Sequence, residues 1–379
     1  MKPWLWWCVD GLLAVSITLF LVPLDPRISS LPLLLWLAIQ LLLAPQPRRW
    51  ALWPLLALML LSTRIWWFND PPHPASFSDG VLFVVSLLAA TTVAPQRWTA
   101  VLRLPLLALI PLVPLIGERP WTPNPLAGLN QGAYVLGVLL LLAFAWLRSA
   151  TGFRPSRWVA AAAVAAATIV LWQTGSRASL LSAGAALVLT ALWQARQTSF
   201  FWLKVACAAV LAAVAYPLKL LFFAPPTAPT SAGAHASESA RFVVFQCYSQ
   251  IPFSGSNRLL YGVGFDRVAD FCNQPIDGLS VPLHHAHNLY LQVFAATGLL
   301  GLVGCVLIGL LLLQAWGSSI KQIPLELQWI SFSVLLYTLF QGLFDLSLLH
   351  WPIAVGFTGL LLGVPLAFMP ASAQGADRR

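Results

Sequence analysis

Apolar segments of about 20 residues recur along this chain, and each is long enough to cross the ~30 Å hydrocarbon core of a bilayer as a helix. Lipid offers no water to a backbone N–H or C=O, so a spanning segment must close its own hydrogen bonds. Twelve such segments are legible: 4–23, 31–45, 50–68, 80–95, 99–116, 126–147, 158–174, 178–195, 200–223, 288–316, 325–344 and 351–369. Residues are 59% hydrophobic and only 9% charged, against about 25% charged in an average soluble domain. The expected fold is therefore all-α: a polytopic membrane protein with about twelve transmembrane helices and one large outer loop. Helices one to nine occupy 1–223, a loop with a short helix occupies 224–287, and helices ten to twelve with a tail occupy 288–379.

Basic residues orient this array, because Lys and Arg accumulate in short cytoplasmic segments. With the N-terminus inside, 13 of the 21 basic residues fall on the inner side. The outer side holds Arg27, Arg64, Arg119, Arg177, Lys219, Arg241, Arg258 and Arg267. Three of these lie in the long loop, which translocates regardless of charge, leaving 13 against 5. Both termini are then cytoplasmic and the long loop faces outward. The net charge of +9 is mostly this topology signal. No Lys/Arg run exceeds two residues, so nothing tracks a phosphate backbone and no nucleic acid partner is expected.

The first span follows Lys2 without a small-x-small cleavage site and reads as an uncleaved anchor. Tryptophans near helix ends (Trp4, Trp66, Trp67, Trp121, Trp351) read as interfacial belts in contact with membrane lipids. Pro54, Pro105, Pro111 and Pro114 imply kinks inside spans. Cys8, Cys207 and Cys305 read as apolar filler. Cys247 and Cys272 share the outer loop, and either bridge each other or remain as two free thiols.

Within the loop, 224–236 has the Pro, Gly and small-residue content of a linker. From Arg241 to Tyr248 a helix of about three turns is expected, with a serine at its N-cap. Phe242, Phe245 and Tyr248 can share one stripe, facing either the membrane surface or the loop itself. Gly262 and Gly264 mark a turn with close backbone approach; as a phosphate-binding signal Gly-x-Gly is weak.

Three features of the outer face carry chemistry. Arg177 tips a very short hairpin, Arg241 opens the loop helix, and Arg258 and Arg267 flank the glycine turn; guanidinium groups bind phosphate with paired hydrogen bonds. His287 stands at the lip of a span, preceded by His284 and His285 and followed by Asn288. An imidazole there can accept a proton from an incoming hydroxyl. Metal binding by the histidines is disfavoured, since no Asp or Glu lies within six residues. The chain also lacks Asp-x-Asp, so a cation held between phosphates by carboxylates is not expected, and neither is a cofactor. Asp345, beside Gln341 at the outer end of a span, is the acid to watch, and a nearby Arg is its simplest partner.

Taken in order, Thr174-Gly175-Ser176-Arg177-Ala178, the Arg241 helix, Gly262-Val263-Gly264-Phe265, and His287-Asn288 with Leu291-Gln292, Gly298 and Gly301 resemble the O-antigen ligase and polymerase superfamily of bacterial envelopes. Pro123-Asn124-Pro125-Leu126-Ala127 and Leu343-Phe344-Asp345 look like further signatures. The resemblance implies a metal-independent, inverting membrane glycosyltransferase of the C type, in the bacterial inner membrane, with a periplasmic loop. Its donor would be a lipid-linked oligosaccharide on undecaprenyl diphosphate. Its acceptor would be lipid A-core, another glycan, or a protein hydroxyl. Carried over by position, Arg177 and Arg241 would hold the diphosphate, with Arg258 a weaker match. His287 would assist the acceptor hydroxyl, and Asn288 would sit beside it on the substrate. A ligase is favoured over a polymerase. A transporter, the alternative of another class, should show mid-span charges and a repeated half, and neither is legible here.

Overall fold

The computed structural model describes residues 3–22, 26–43, 78–107, 109, 129–150, 155–195, 243–265, 267–272, 285–349 and 351–368. Among these there is no strand, in keeping with an all-α fold. The long helices are α1 (Pro3–Leu21), α2 (Pro26–Leu43), α3 (Ser78–Thr92), α5 (Leu129–Ser149), α6 (Pro155–Gln173), α7 (Arg177–Ala195), α11 (Leu289–Ser319) and α12 (Leu325–Gly342). Shorter pieces are α4 (Trp98–Arg103), α9 (Ser256–Tyr261), α10 (Val268–Phe271), α13 (Pro352–Leu362) and α14 (Val364–Ala367). Residues 243–250 form α8. The spans expected at 50–68 and 200–223 lie outside the described residues.

Five described helices are long and apolar enough to cross a bilayer, or six if the bent pair Asp79–Thr92 and Pro95–Leu107 counts as one span. That pair falls on the expected spans 80–95 and 99–116. Its halves meet at 110°, the geometry of a broken span or a re-entrant loop. The chain breaks at Pro95, which starts a 3-10 turn through Arg97 because proline cannot donate to the preceding helix.

This corner is held by a buried ionic network. Asp10 of α1 is 1% exposed and ion-paired with Arg97. The Arg97 guanidinium also donates from Nη1 to Gln40 Oε1 of α2 at 3.2 Å and lies 3.6 Å above the Trp6 ring. Trp36 Nε1 donates to Asp10 Oδ1 at 3.1 Å. One carboxylate thus ties α1, α2 and the bend together. Nearby, α13 packs into α3 through small residues: a Cβ on Gly359 would come within 2.7 Å of the Phe83 carbonyl oxygen. Such close backbone approach drives helix association where lipid and side chains are equally apolar.

Two hydrogen bonds fix the direction of α7 against α12. Near the start of α7, Ser179 hydrogen-bonds Tyr337 near the end of α12. At its far end Gln194 accepts from Trp329 Nε1 near the start of α12. The helices are antiparallel, so Arg177 and the residues following Gly342 share one end of the bundle. The opposite end carries Arg103, bonded to Glu326 at 2.9 Å, and Ser149, which donates to the same carboxylate at 2.9 Å.

The long helix α11 is two helices joined across a kink at Gly298, where φ is 62° and ψ −160°. Its 31 residues would reach about 46 Å if straight, at about 1.5 Å per residue. The piece after Gly298 reaches roughly 31 Å, close to the ~30 Å of hydrocarbon.

Removing Arg97 should leave the Asp10 carboxylate buried and uncompensated. The expected cost of Arg97→Ala is about 3–5 kcal/mol, read as a lowered thermal midpoint of the detergent-solubilised protein. The double variant Asp10→Leu/Arg97→Met should recover most of it.

Candidate functional site

The turn 285–288 is built by the residues that follow it. Asn288 is the N-cap of α11, its Oδ1 accepting from the Leu291 N–H at 2.9 Å, one of the orphan donors of a helix start. Gln292, 1% exposed, reaches back so that its Oε1 accepts from the Ala286 N–H at 3.0 Å. The Asn288 side chain also donates from Nδ2 to the Leu343 carbonyl at 3.1 Å, and the Tyr290 hydroxyl donates to the Leu339 carbonyl at 2.8 Å. The His-Ala-His-Asn turn is clamped from within by Gln292 and from outside by the end of α12.

That clamp sets His287 in an unusual backbone conformation. Its φ is 49°, and among the described residues it is the one non-glycine with positive φ. The left-handed region is disfavoured for a side chain bearing Cβ, and such strain concentrates at functional sites. The conformation turns the ring onto Asp345: Nδ1 lies 3.3 Å from Oδ1. The His285 ring packs beside it, centroids 4.4 Å apart.

Asp345 is 5% exposed and pairs with His287 rather than with an arginine, which corrects the simplest reading of its sequence position. Its Oδ2 accepts from Ser347 Oγ at 2.5 Å, and Ser347 in turn accepts from Gln341 Nε2 at 3.0 Å. Burial pushes the Asp345 carboxyl up; hydrogen bonds from His287, Ser347 and the Leu346 amide outweigh it and hold the carboxyl below its ordinary value. The carboxylate is thus kept ionised beside the imidazole, an arrangement that orients a ring and stabilises its charged form.

Arg177 opens α7 at the same end. The turn before it is made by Gly175 at φ 71°, by Thr174 Oγ1, which donates to the Leu171 carbonyl at 2.6 Å, and by the Ser176 N–H, which donates to Thr174 Oγ1 at 3.2 Å. Ser176 and Ser179 hydroxyls meet at 3.2 Å, and Ser179 continues to Tyr337. Thr174 and Ser176 are buried while Arg177 is exposed, so the polar residues inside this tip hold the turn and leave the guanidinium outside.

The loop between α7 and α11 packs with the start of α11 in a second small core of Val244, Tyr248, Ile251, Val263, Val268, Cys272, Ala286, Ala295 and Ala296. Val244 and Tyr248 of α8 face it, so Tyr248 of the expected stripe packs on the loop, while Phe245 is half-buried outside this core. Phe242, Arg241 and the serine cap lie outside the described residues. Cys247 and Cys272 are joined in a disulfide, with Cα atoms 5.9 Å apart, which resolves their two sequence readings. Cys8 and Cys305 are exposed free thiols on α1 and α11, and Cys207 lies outside the described residues. Arg258 on α9 donates to Ser254 Oγ at 2.9 Å and lies 4.7 Å over the Phe271 ring. Arg267 pairs with Asp270 at 3.7 Å. The structure therefore joins His287 directly to Asp345, ties Asn288 to Leu343 two residues before that acid, and puts Arg177 at the same end of the bundle, while Arg258 is held within the loop.

Sequence reasoning missed the roles of Ser347 and Gln292. The sequence sets Gln341 beside Asp345, but only the fold supplies the His287 contact across 58 residues. The Gly262-Val263-Gly264 amides do not offer a phosphate site. Val263 and Gly264 donate instead to the Ala295 and Ala296 carbonyls at 3.1 and 2.8 Å. Among the described residues no group of three His, Cys, Asp or Glu could hold a metal ion.

The family model described as O-antigen ligase matches residues 162–306. The match runs from within α6, through Arg177 and the whole outer loop, into the first half of α11; Asp345 lies beyond it. No curated protein matches the chain.

A lowered carboxyl stabilises the fold above its unfolded value of about 3.9. That contribution is lost as pH falls through the still lower folded value. Wild type should therefore exceed Asp345→Asn in thermal midpoint at neutral pH, with the two converging in acid. A constant gap from pH 7 to pH 2 would show that ionisation of Asp345 plays no part.

Proposed function

We propose that this chain, whose residues 162–306 match the O-antigen ligase family model, is a member of that superfamily and transfers a glycan from undecaprenyl diphosphate to an acceptor hydroxyl on the periplasmic face of the bacterial inner membrane. It is a C-type, metal-independent glycosyltransferase of about twelve spans, with cytoplasmic termini and the 224–287 loop outside. One observation carries the reading: a histidine in a left-handed turn, bonded through Nδ1 to a buried carboxylate at the helix end that it shares with Arg177.

The chemistry follows from that geometry. With Nδ1–H donating to Asp345, the Nε2 lone pair is the ring's remaining base. The acceptor oxygen attacks the anomeric carbon from the face opposite the phosphate, and its proton passes to Nε2. The bond from that carbon to the phosphate oxygen breaks, and the electron pair leaves on undecaprenyl diphosphate. Inversion at the anomeric carbon is the result. The Asp345 carboxylate stabilises the imidazolium that forms, as carboxylates do behind other catalytic histidines. Arg177, Arg241 and Arg258 take the growing diphosphate charge, since guanidinium pairs with phosphate in two parallel hydrogen bonds without needing a metal. Asn288 has one amide hydrogen beyond its bond to Leu343 and presents it to the substrate. The acceptor favoured is lipid A-core, as in a ligase.

His287→Ala should reduce glycan transfer from a lipid-linked oligosaccharide by about 10²-fold or more, with protein levels unchanged. Arg177→Ala and Arg241→Ala should do likewise through the leaving group, and EDTA should leave wild-type transfer intact. Full activity in His287→Ala and both arginine variants would refute the mechanism; inhibition by EDTA reversed by magnesium would replace it with a metal-dependent one.

A further inference from the structure

Gly262 in the outer loop and Gly298 in α11 meet backbone to backbone. A Cβ on Gly262 would lie 2.3 Å from the Ala296 carbonyl carbon and 2.4 Å from the Thr297 nitrogen. A Cβ on Gly298 would lie 2.5 Å from the Leu260 carbonyl carbon and 2.6 Å from the Tyr261 nitrogen. The contact is reciprocal, and both glycines have positive φ, 70° and 62°. Each is thus required twice, once by space and once by conformation.

The kink explains what the contact accomplishes. Breaking α11 at Gly298 removes the helical N–H partners of the carbonyls a turn earlier. Those of Ala295 and Ala296 accept instead from Val263 and Gly264 at 3.1 and 2.8 Å. A break at the edge of the bilayer needs such substitutes, because unsatisfied carbonyls there are costly. The loop therefore completes the hydrogen bonding of the span. Gly262 also ends α9, its N–H donating to the Arg258 carbonyl at 2.8 Å. Phe253 packs edge-on against Phe294, centroids 6.1 Å apart, on the same piece of α11.

We propose that Gly262 and Gly298 form a clasp that positions the arginine-bearing loop against the helix carrying His287, and that they are positioning residues for binding the lipid-linked donor. This rests on the transfer reaction proposed above. The clasp sits between the two halves of that site: Arg258 one helical turn before Gly262, and Asn288 with His287 at the start of the helix that Gly298 breaks. A Cβ at either glycine pushes the loop away from α11 and moves the phosphate-binding side relative to the base. The disulfide holds α8 to the residues after α10 but does not reach α11, so it cannot replace the clasp.

The test compares Gly262→Ala and Gly298→Ala with Gly309→Ala, which has open space on the same helix, in membranes supplied with a lipid-linked oligosaccharide. The clasp variants should raise KM for the donor about tenfold or more while kcat changes less, and Gly309→Ala should match wild type. Amide hydrogen exchange on wild-type protein gives a second reading, with Val263 and Gly264 as protected as the flanking turns of α11. Unchanged donor KM in the alanine variants, a loss confined to kcat, or rapid exchange at Val263 and Gly264 would each overturn the proposal. If Gly298→Ala does not accumulate, Gly262→Ala and the exchange measurement decide. Wild-type transfer in His287→Ala alongside raised KM in the clasp variants would sink the base assignment and leave the clasp standing.

Discussion

The hydrogen bond between His287 and Asp345 joins the start of one membrane helix to the end of the next across 58 residues of chain. Around it the surrounding contacts make sense. Ser347 and Gln341 hold the carboxylate, Asn288 and Tyr290 tie α11 to the last turn of α12, and Gln292 freezes the turn that puts the imidazole in place. A carboxylate buried this deeply would otherwise prefer its neutral form. Its hydrogen-bond donors keep it charged, and the charge keeps the imidazole oriented. The left-handed backbone of His287 is held by the same bonds, so strain and orientation have one cause.

Accounting for backbone polar groups runs through the rest of the molecule. Membrane helices close their own hydrogen bonds until something breaks them, and two breaks matter here. At Pro95 the chain turns by 110° and the corner is secured by Asp10 and Arg97. At Gly298 the freed carbonyls are met by amides of the outer loop. In the first case side-chain charge stabilises the break, and in the second the backbone itself does. The second solution has a functional consequence, because it makes the loop part of the span's hydrogen bonding instead of a free appendage.

The two ends of the bundle divide the polar work differently. At one end Arg103, Ser149 and Glu326 form a structural pairing, with Arg103 and Arg148 lying over the faces of Trp146 and Trp329. These cations are occupied. At the other end Arg177 stands exposed on a tip whose polar groups are turned inward. A chain of hydroxyls, Ser176 to Ser179 to Tyr337, runs from that tip into the helix whose end holds Asp345. Arg177 thus shares one end of the bundle with the His287–Asp345 pair.

The sequence by itself determined the helical membrane architecture, since runs of hydrocarbon leave the backbone one way to satisfy its own hydrogen bonds. It also marked His287, Asn288, Arg177, Arg241 and Arg258 as chemical residues in apolar surroundings, and singled out Asp345 without its partner. Hydropathy separated the segments on either side of Pro95 but could not give the 110° between them, and it could not show the kink at Gly298, which sits inside a segment that reads as continuous. Nor could it choose between bridged and free Cys247 and Cys272, or show that Tyr248 packs into the loop core. Those outcomes, like the meeting of His287 with Asp345 and of Gly262 with Gly298, depend on which surfaces of distant helices touch. Burial, hydrogen-bond partners and steric room are properties of that contact, and they exist only once the chain has packed.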